Sequence, residues 1–132
     1  MDSMPTDIQR IRREVVAAAM QFAFVEAHPT SDGGVYVKSA MQTSTGKTYF
    51  MSIYFPDYPN QMPKVLITNP TLRPTHNNHM YKDGYICFLH PNMWNPGRHT
   101  LTFVLARIAK WLNKYDCWST NGGHWPGEEV RH

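Results

Sequence analysis

The stretch His76–Cys87 holds the residues best suited to chemistry, since histidine, asparagine and tyrosine side chains lead directly to a cysteine. Asp83-Gly84 predicts a tight turn, which would fold the upstream amide and imidazole groups back beside the Cys87 sulfur. A thiolate is a nucleophile, and nearby donor groups stabilise an oxyanion on a carbonyl attached to it. The stretch therefore suits acyl transfer through Cys87, although these residues alone equally fit a buried structural cysteine.

The elements that must position this cysteine predict an α+β fold, with helices covering one face or end of an antiparallel sheet. Apolar residues at three- and four-residue steps indicate two helices, and alternation between Thr48 and Phe55 indicates a strand. Short links between the strands favour an antiparallel meander. The predicted elements are a helix at Asp7–Gln21, strands at Phe22–Ala27, Val35–Met41, Thr48–Phe55 and Val65–Thr68, a long loop at Pro56–Pro96, and a helix at Leu101–Tyr115.

The polar residues of the two helices also predict specific contacts. Thr6 and Gln9 have the spacing of a capping box at the start of the first helix. Arg10, Arg12 and Arg13 lie on or beside its polar side, which fits either a solvated face or a docking surface for an acidic partner. On the second helix, the polar residues predicted to point away from the core are Arg107, Lys110 and Asn113.

Bulk properties limit the possible function classes. The chain has 132 residues, which predicts a single domain spanning 1–132, and its formal charge of +3 gives nucleic-acid binding little support. The sequence has no apolar run of about 20 residues and no signal peptide, which predicts a cytoplasmic protein with free thiols at Cys87 and Cys117. No phosphate-binding loop motif is present, so we expect no ATP-dependent activation by this chain, and we predict no cofactor.

Several motifs, taken together and in order, resemble those of ubiquitin-conjugating enzymes. They are Phe55-Pro56, Tyr58-Pro59, Pro63, Gly84-Tyr85-Ile86-Cys87 and Trp94-Asn95-Pro96. The end of the chain is similar to the standalone bacterial branch of that family, in Trp111-Leu112, Tyr115, Trp118, Gly123, Trp125-Pro126-Gly127 and the closing His132. The similarity covers almost the whole chain and implies the family's fold, shortened after one helix beyond the cysteine.

The resemblance implies roles for individual residues. Cys87 would be the thioester nucleophile, and His79, which stands where the family usually has asparagine, would stabilise the oxyanion or transfer a proton. Asn78 is an alternative oxyanion donor, and His90 is a further candidate, because His79-Met80-Tyr81 and His90-Pro91 fit the bacterial pattern. The residues expected to shape the site are Tyr81, Gly84, Trp94 and Pro96.

The resemblance also implies partners. They are a protein modifier, or the C-terminus of a cyclic-nucleotide synthase in an antiphage operon, and an activating enzyme that docks on the first helix near Arg12 and Arg13. No nucleic acid and no membrane are expected as partners.

Three other interpretations compete with an acyl carrier. A zinc site could use Cys87, His90, Cys117 and His124, although their spacing fits no common zinc pattern. A binding module of the same fold would lack catalysis, and a nucleic-acid-binding protein would use the basic surface and exposed aromatic rings. In the catalytic interpretation Cys117 acts only as a small apolar residue near the end of the second helix.

Overall fold

The chain runs from a helix through a four-stranded sheet to a longer helix in the computed structural model, which describes residues 6–75, 77–123 and 125–126. His76, His124, Gly127 and His132 therefore lie outside the described residues. The α+β fold predicted from the sequence is confirmed. The elements are α1 (Ile8–Ala19), β1 (Val25–Pro29), β2 (Val35–Gln42), β3 (Thr48–Tyr54), β4 (Lys64–Asn69), a 3-10 turn (Pro91–Met93) and α2 (Leu101–Thr120).

The four strands form one antiparallel sheet in the order β1-β2-β3-β4. Val37 pairs with Ile53, and Ile53 pairs with Val65, so each strand lies beside its neighbour in sequence. This is the meander that the short connections predict. None of the helices among the described residues is long and apolar enough to cross a membrane.

The hydrophobic core lies between the two helices and one face of the sheet. In β3, Tyr49, Met51 and Ile53 are buried, as the alternating pattern predicts. Each large apolar side chain removed from water contributes roughly 1.5–3 kcal/mol, so this cluster is the main source of stability. The helices supply Ile11 and Ala18 from α1, and Leu101, Val104, Leu105, Ile108 and Leu112 from α2.

The start of α1 differs from the predicted capping box. Asp7 is the N-cap, and its side chain accepts a hydrogen bond from the Arg10 backbone N–H. The Thr6 hydroxyl instead donates to the Phe55 carbonyl, 2.8 Å away. A tertiary contact to the end of the sheet has therefore replaced the local cap that the sequence predicted.

Glu14 connects α1 to α2, a role that sequence analysis missed. Its carboxylate accepts hydrogen bonds from the Leu101 backbone N–H (2.8 Å), the Arg10 guanidinium (2.6 Å) and the Tyr58 hydroxyl. Thr100 makes no side-chain cap, so Glu14 supplies the negative charge that a helix N-terminus favours. Arg10 is therefore held in a partly buried network, whereas Arg12 and Arg13 are exposed.

Two predicted boundaries and the interpretation of Cys117 need correction. β1 begins at Val25 rather than Phe22, because the Phe22 N–H still donates to Ala18 at the end of α1. α2 continues to Thr120, five residues beyond the predicted end. Cys117 on this added turn is exposed, so its interpretation as a small apolar residue is wrong.

Candidate functional site

The segment before Cys87 folds back on itself beside β4. Gly84 has a φ of 96°, which favours glycine, and its N–H donates to the Tyr81 carbonyl. Bridges pair Met80 with Ile86 and Leu66 with Tyr85. The turn predicted at Asp83-Gly84 is therefore confirmed, and it directs the chain along the sheet edge into Cys87.

The backbone of Cys87 is held by a hydrogen bond to the other arm of this hairpin. Its N–H donates to the His79 carbonyl over 2.9 Å, and the same carbonyl accepts from the Trp111 indole N–H over 3.2 Å. One carbonyl thus joins the cysteine, the upstream loop and α2. His79 has a φ of 55°, a left-handed conformation that is uncommon outside glycine but that histidine, asparagine and aspartate adopt more often than other residues.

The Cys87 sulfur is nearly enclosed, with 6% of the residue exposed. Burial raises the pKa of the Cys87 thiol, while a hydrogen bond from the Tyr81 hydroxyl and the positive charge of Arg107 oppose that increase. Burial also raises the pKa of Tyr81, which keeps this hydroxyl protonated as a donor. The thiol is therefore neutral at physiological pH, with two groups in place to stabilise a negative charge on sulfur.

A cleft of about 50 Å³ adjoins the sulfur. Aromatic and basic side chains line it, and no carboxylate is among its described lining residues. The His79 ring lies 4.6 Å from the Trp125 ring, centroid to centroid, which places the imidazole at this cleft. The lining residues are His79, Cys87, Phe88, Arg107, Lys110, Trp111, Lys114 and Trp125.

Asn78 has a different setting from the one expected of an oxyanion donor. The residue is 1% exposed, and its side-chain oxygen accepts from the Thr75 N–H over 2.9 Å. Its amide nitrogen donates to the Arg73 carbonyl over 2.9 Å and contacts the Met80 sulfur at 3.6 Å. Both ends of the amide are engaged in holding the loop, because a buried amide requires such partners.

His90 lies in the loop after Cys87. Its Nδ1 accepts the Asn92 backbone N–H over 3.2 Å, so the imidazole caps the 3-10 turn at Pro91–Met93. It is absent from the described residues that line the cleft. This geometry gives His90 a structural contact in the loop after Cys87.

Trp94 and Pro96 lie in the loop after Cys87, and both make hydrogen bonds to other segments of the chain. The Trp94 indole donates to the Pro59 carbonyl over 2.8 Å, and its ring lies 6.0 Å from that of Tyr58. The Pro96 carbonyl accepts from the Arg10 guanidinium over 2.7 Å. These bonds tie the loop after Cys87 to α1 and to the segment after β3.

Arg107 is the principal site residue that the sequence analysis missed. Its Nε donates to the Phe88 carbonyl over 3.1 Å, which brings the guanidinium beside the cysteine. The helical pattern placed it on the polar side of α2, and its long side chain reaches back to the loop. Trp111 also reaches the cleft from α2. The sequence pattern that could have indicated both residues is the spacing of 107, 110, 111 and 114, which places them on one face of the helix.

The metal interpretation finds no ligand set among the described residues, within which no three histidine, cysteine or acidic side chains form a candidate metal group. Cys87 and Cys117 form no disulfide, and Cys87 is buried whereas Cys117 is exposed. His124, the fourth ligand in that interpretation, lies outside the described residues.

The model of a family described as Type II CBASS E2 protein matches residues 14–132. No curated protein sequence matches the chain. Among solved structures, "A complex of the Vps23 UEV with ubiquitin" matches with a TM-score of 0.55 and 16% identity, over 79% of this chain and 81% of that one. At this identity the structural likeness supports the fold alone.

Proposed function

The chain belongs to the Type II CBASS E2 proteins, and we propose that it carries an acyl group as a thioester on Cys87 and passes it to an amine. The main support is the environment of the sulfur. Cys87 opens on a cleft, accepts a hydrogen bond from Tyr81 and lies near the charge of Arg107. A purely structural cysteine requires neither group.

In the proposed loading step, the Cys87 thiol loses its proton to solvent and the thiolate attacks the carbonyl carbon of an activating enzyme's thioester. A new C–S bond forms, the old one breaks, and the activating enzyme's cysteine leaves as a thiolate. The Tyr81 hydroxyl and Arg107 stabilise the Cys87 thiolate while it attacks. Because burial raises the thiol pKa, loading should accelerate as the pH increases toward that pKa.

In the transfer step, an amine attacks the Cys87-bound carbonyl, the C–N bond forms, and Cys87 leaves as a thiolate. We assign His79 to this step, because its imidazole lines the cleft. It donates a hydrogen bond to the oxyanion or takes the proton that the amine releases. Asn78 and His90 are the less favoured candidates, since their described hydrogen bonds serve the loops.

Reconstitution with the activating enzyme, ATP and the modifier, or the synthase C-terminus, encoded beside this chain tests the thioester. Wild type and C117A should both form an adduct that a thiol reductant removes, and C87A should form none. Cys117 is the matched control, because it is a free cysteine on an exposed turn. Survival of the thiol-sensitive adduct in C87A would overturn the assignment.

A binding module is the second candidate, because the matching fold is that of a UEV in complex with ubiquitin. Such a module would hold the modifier without a covalent bond. Titration of C87A with the modifier distinguishes the two functions. Tight binding by C87A, together with no adduct on wild type, would favour the binding module.

The exposed face of α1 is the proposed docking surface for the activating enzyme. Arg12, Val16 and Met20 share one stripe at four-residue spacing, and Val16 and Met20 are 67% and 84% exposed. Arg13 lies beside them. R12E/R13E should slow loading by the activating enzyme without lowering the thermal midpoint, and an unchanged loading rate would contradict this assignment.

A further inference from the structure

The basic wall of the cleft beside Cys87 is formed by three cations of α2. Arg107, Lys110 and Lys114 are separated by three and four residues, so they lie on one side of the helix. All three line the same cleft as the sulfur. Arg107 donates a hydrogen bond to the Phe88 carbonyl, and Lys110 and Lys114 follow it along the helix and line the same cleft.

This wall carries no compensating negative charge within the part of the chain that the structure describes. The two ion pairs found there are Arg10 with Glu14 and His28 with Glu26, and neither involves the cleft. Like charges on one helix face repel each other, so the arrangement is unfavourable until an anion approaches. A cleft lined by one sign of charge attracts ligands of the opposite sign.

We propose that Lys110 and Lys114, with Arg107, bind an acidic segment just upstream of the residue whose carbonyl becomes bound to Cys87. This inference rests on the proposed thioester function and adds the class of C-terminus that the site accepts. The occupant is the C-terminal segment of the modifier or synthase, because the cations and the acylated sulfur share one cleft.

The geometry also limits where the acidic residues lie. Arg107 and Lys114 are seven positions apart on the α-helix, which corresponds to about 10 Å along the axis. An extended peptide covers roughly 3.3 Å per residue, so about three of its residues span the basic wall. The acidic side chains should therefore fall within about four positions of the acylated residue.

The test uses synthetic peptide thioesters, which remove the need for an activating enzyme. The two probes are Tyr-Asp-Asp-Ala-Gly and Tyr-Asn-Asn-Ala-Gly, each as a 2-mercaptoethanesulfonate thioester. The Cys87 thiolate attacks the glycine carbonyl, the C–S bond to the sulfonate breaks, and mercaptoethanesulfonate leaves as a thiolate. Mass spectrometry of the proteolytic peptide that contains Cys87 then gives its acylation rate with each probe, separately from any reaction at the exposed Cys117.

At low ionic strength, the acidic peptide should acylate wild type about 3- to 10-fold faster than its amide counterpart, the range for one or two partly exposed ion pairs. The ratio of the two rates should fall to about one in K110Q/K114Q and below one in K110E/K114E. It should also fall in 0.5 M salt, because such charges are screened. The control K38Q/R98Q removes two exposed charges that do not line the cleft, and it should keep the wild-type ratio.

The outcomes separate the two proposals. Equal acylation of Cys87 by both peptides in wild type, or an unchanged ratio in K110Q/K114Q, overturns the acidic-segment proposal and leaves the thioester function standing. Failure of both peptides to acylate Cys87, in protein whose Cys87 is still alkylated by iodoacetamide, counts against the thioester function itself.

Discussion

Cys87 and Asp116 are two acidic groups with the same 6% exposure, and the pKa of one is raised while that of the other is lowered. Burial raises the pKa of both. At Asp116, hydrogen bonds from the hydroxyls of Thr43, Tyr49 and Thr45 outweigh burial and keep the carboxylate charged. At Cys87, one hydroxyl from Tyr81 and the charge of Arg107 do not.

The two groups differ in the direction of the pKa shift because Asp116 has three hydroxyl donors, whereas Cys87 has one hydroxyl donor and one nearby cation. Asp116 on α2 joins that helix to the β2–β3 hairpin. A carboxylate that stays charged and accepts three hydrogen bonds stabilises this contact between the helix and the sheet. The thiol has fewer donors and remains neutral. A neutral thiol that ionises during reaction suits an acyl carrier, since it must be both nucleophile and leaving group.

The largest expected effect is on the rate of acyl transfer from Cys87. His79→Ala should slow transfer from a preformed Cys87 thioester to free lysine by about 10²–10³-fold, because an oxyanion donor or proton acceptor is lost. Single-turnover discharge measures this rate. His90→Ala serves as the matched control, since His90 caps the 3-10 turn. An equal loss in both variants would contradict the role of His79.

Asp116→Asn should change stability rather than chemistry. Three hydroxyls would lose a charged acceptor, and we expect a loss of about 2–3 kcal/mol in the free energy of unfolding. Urea denaturation checks this, and the loading rate of the folded fraction should stay unchanged. An unchanged free energy of unfolding would show that the charge of Asp116 does not stabilise the contact between α2 and the hairpin.

The same residue predicts how stability depends on pH. The pKa of Asp116 is lowered in the folded protein, so its contribution is present above the unfolded-state pKa of about 4 and is lost as the pH falls through the folded-state pKa. The difference in unfolding free energy between wild type and D116N should therefore shrink in acid. A difference that grows on acidification would contradict the assigned direction.

Tyr81→Phe should produce the smallest change. Without the Tyr81 hydroxyl, the pKa of Cys87 should move closer to that of a thiol affected by burial alone. Loss of the hydroxyl removes a donor to the thiolate, so the Cys87 pKa should increase further. Alkylation by iodoacetamide at pH 7 should slow by about 2- to 10-fold, since one pKa unit is a factor of ten. Tyr85→Phe is the control, because its ring packs on Tyr54. An equal decrease in both variants would contradict the hydrogen bond.

Local patterns predicted most of the fold. The alternation in β3, the apolar face of α2 and the turn at Gly84 depend on neighbouring residues, and all three are found in the structure. The errors arose where distant residues compete with local signals. Thr6 bonds to Phe55 instead of capping α1, and Phe22 continues the last turn of α1.

The candidate site was predicted less completely, because it is assembled from separate segments. His79, Tyr81 and Cys87 lie within nine residues, and the turn between them brings them together. Arg107 and Trp111 reach the cysteine from α2, and no local pattern connects them to it. Asn78 matched the expected chemistry by residue type, yet its amide is engaged by Thr75 and Arg73.

The most direct test of the account locates the acyl group on the chain. After loading by the activating enzyme, peptide mass spectrometry should find the modifier's C-terminus on the peptide that contains Cys87. Thiol treatment should release it, and Cys87→Ser should convert it to a thiol-resistant ester. A modifier found on Cys117 or on a lysine, with Cys87 unmodified, would contradict the claim that Cys87 is the acyl carrier.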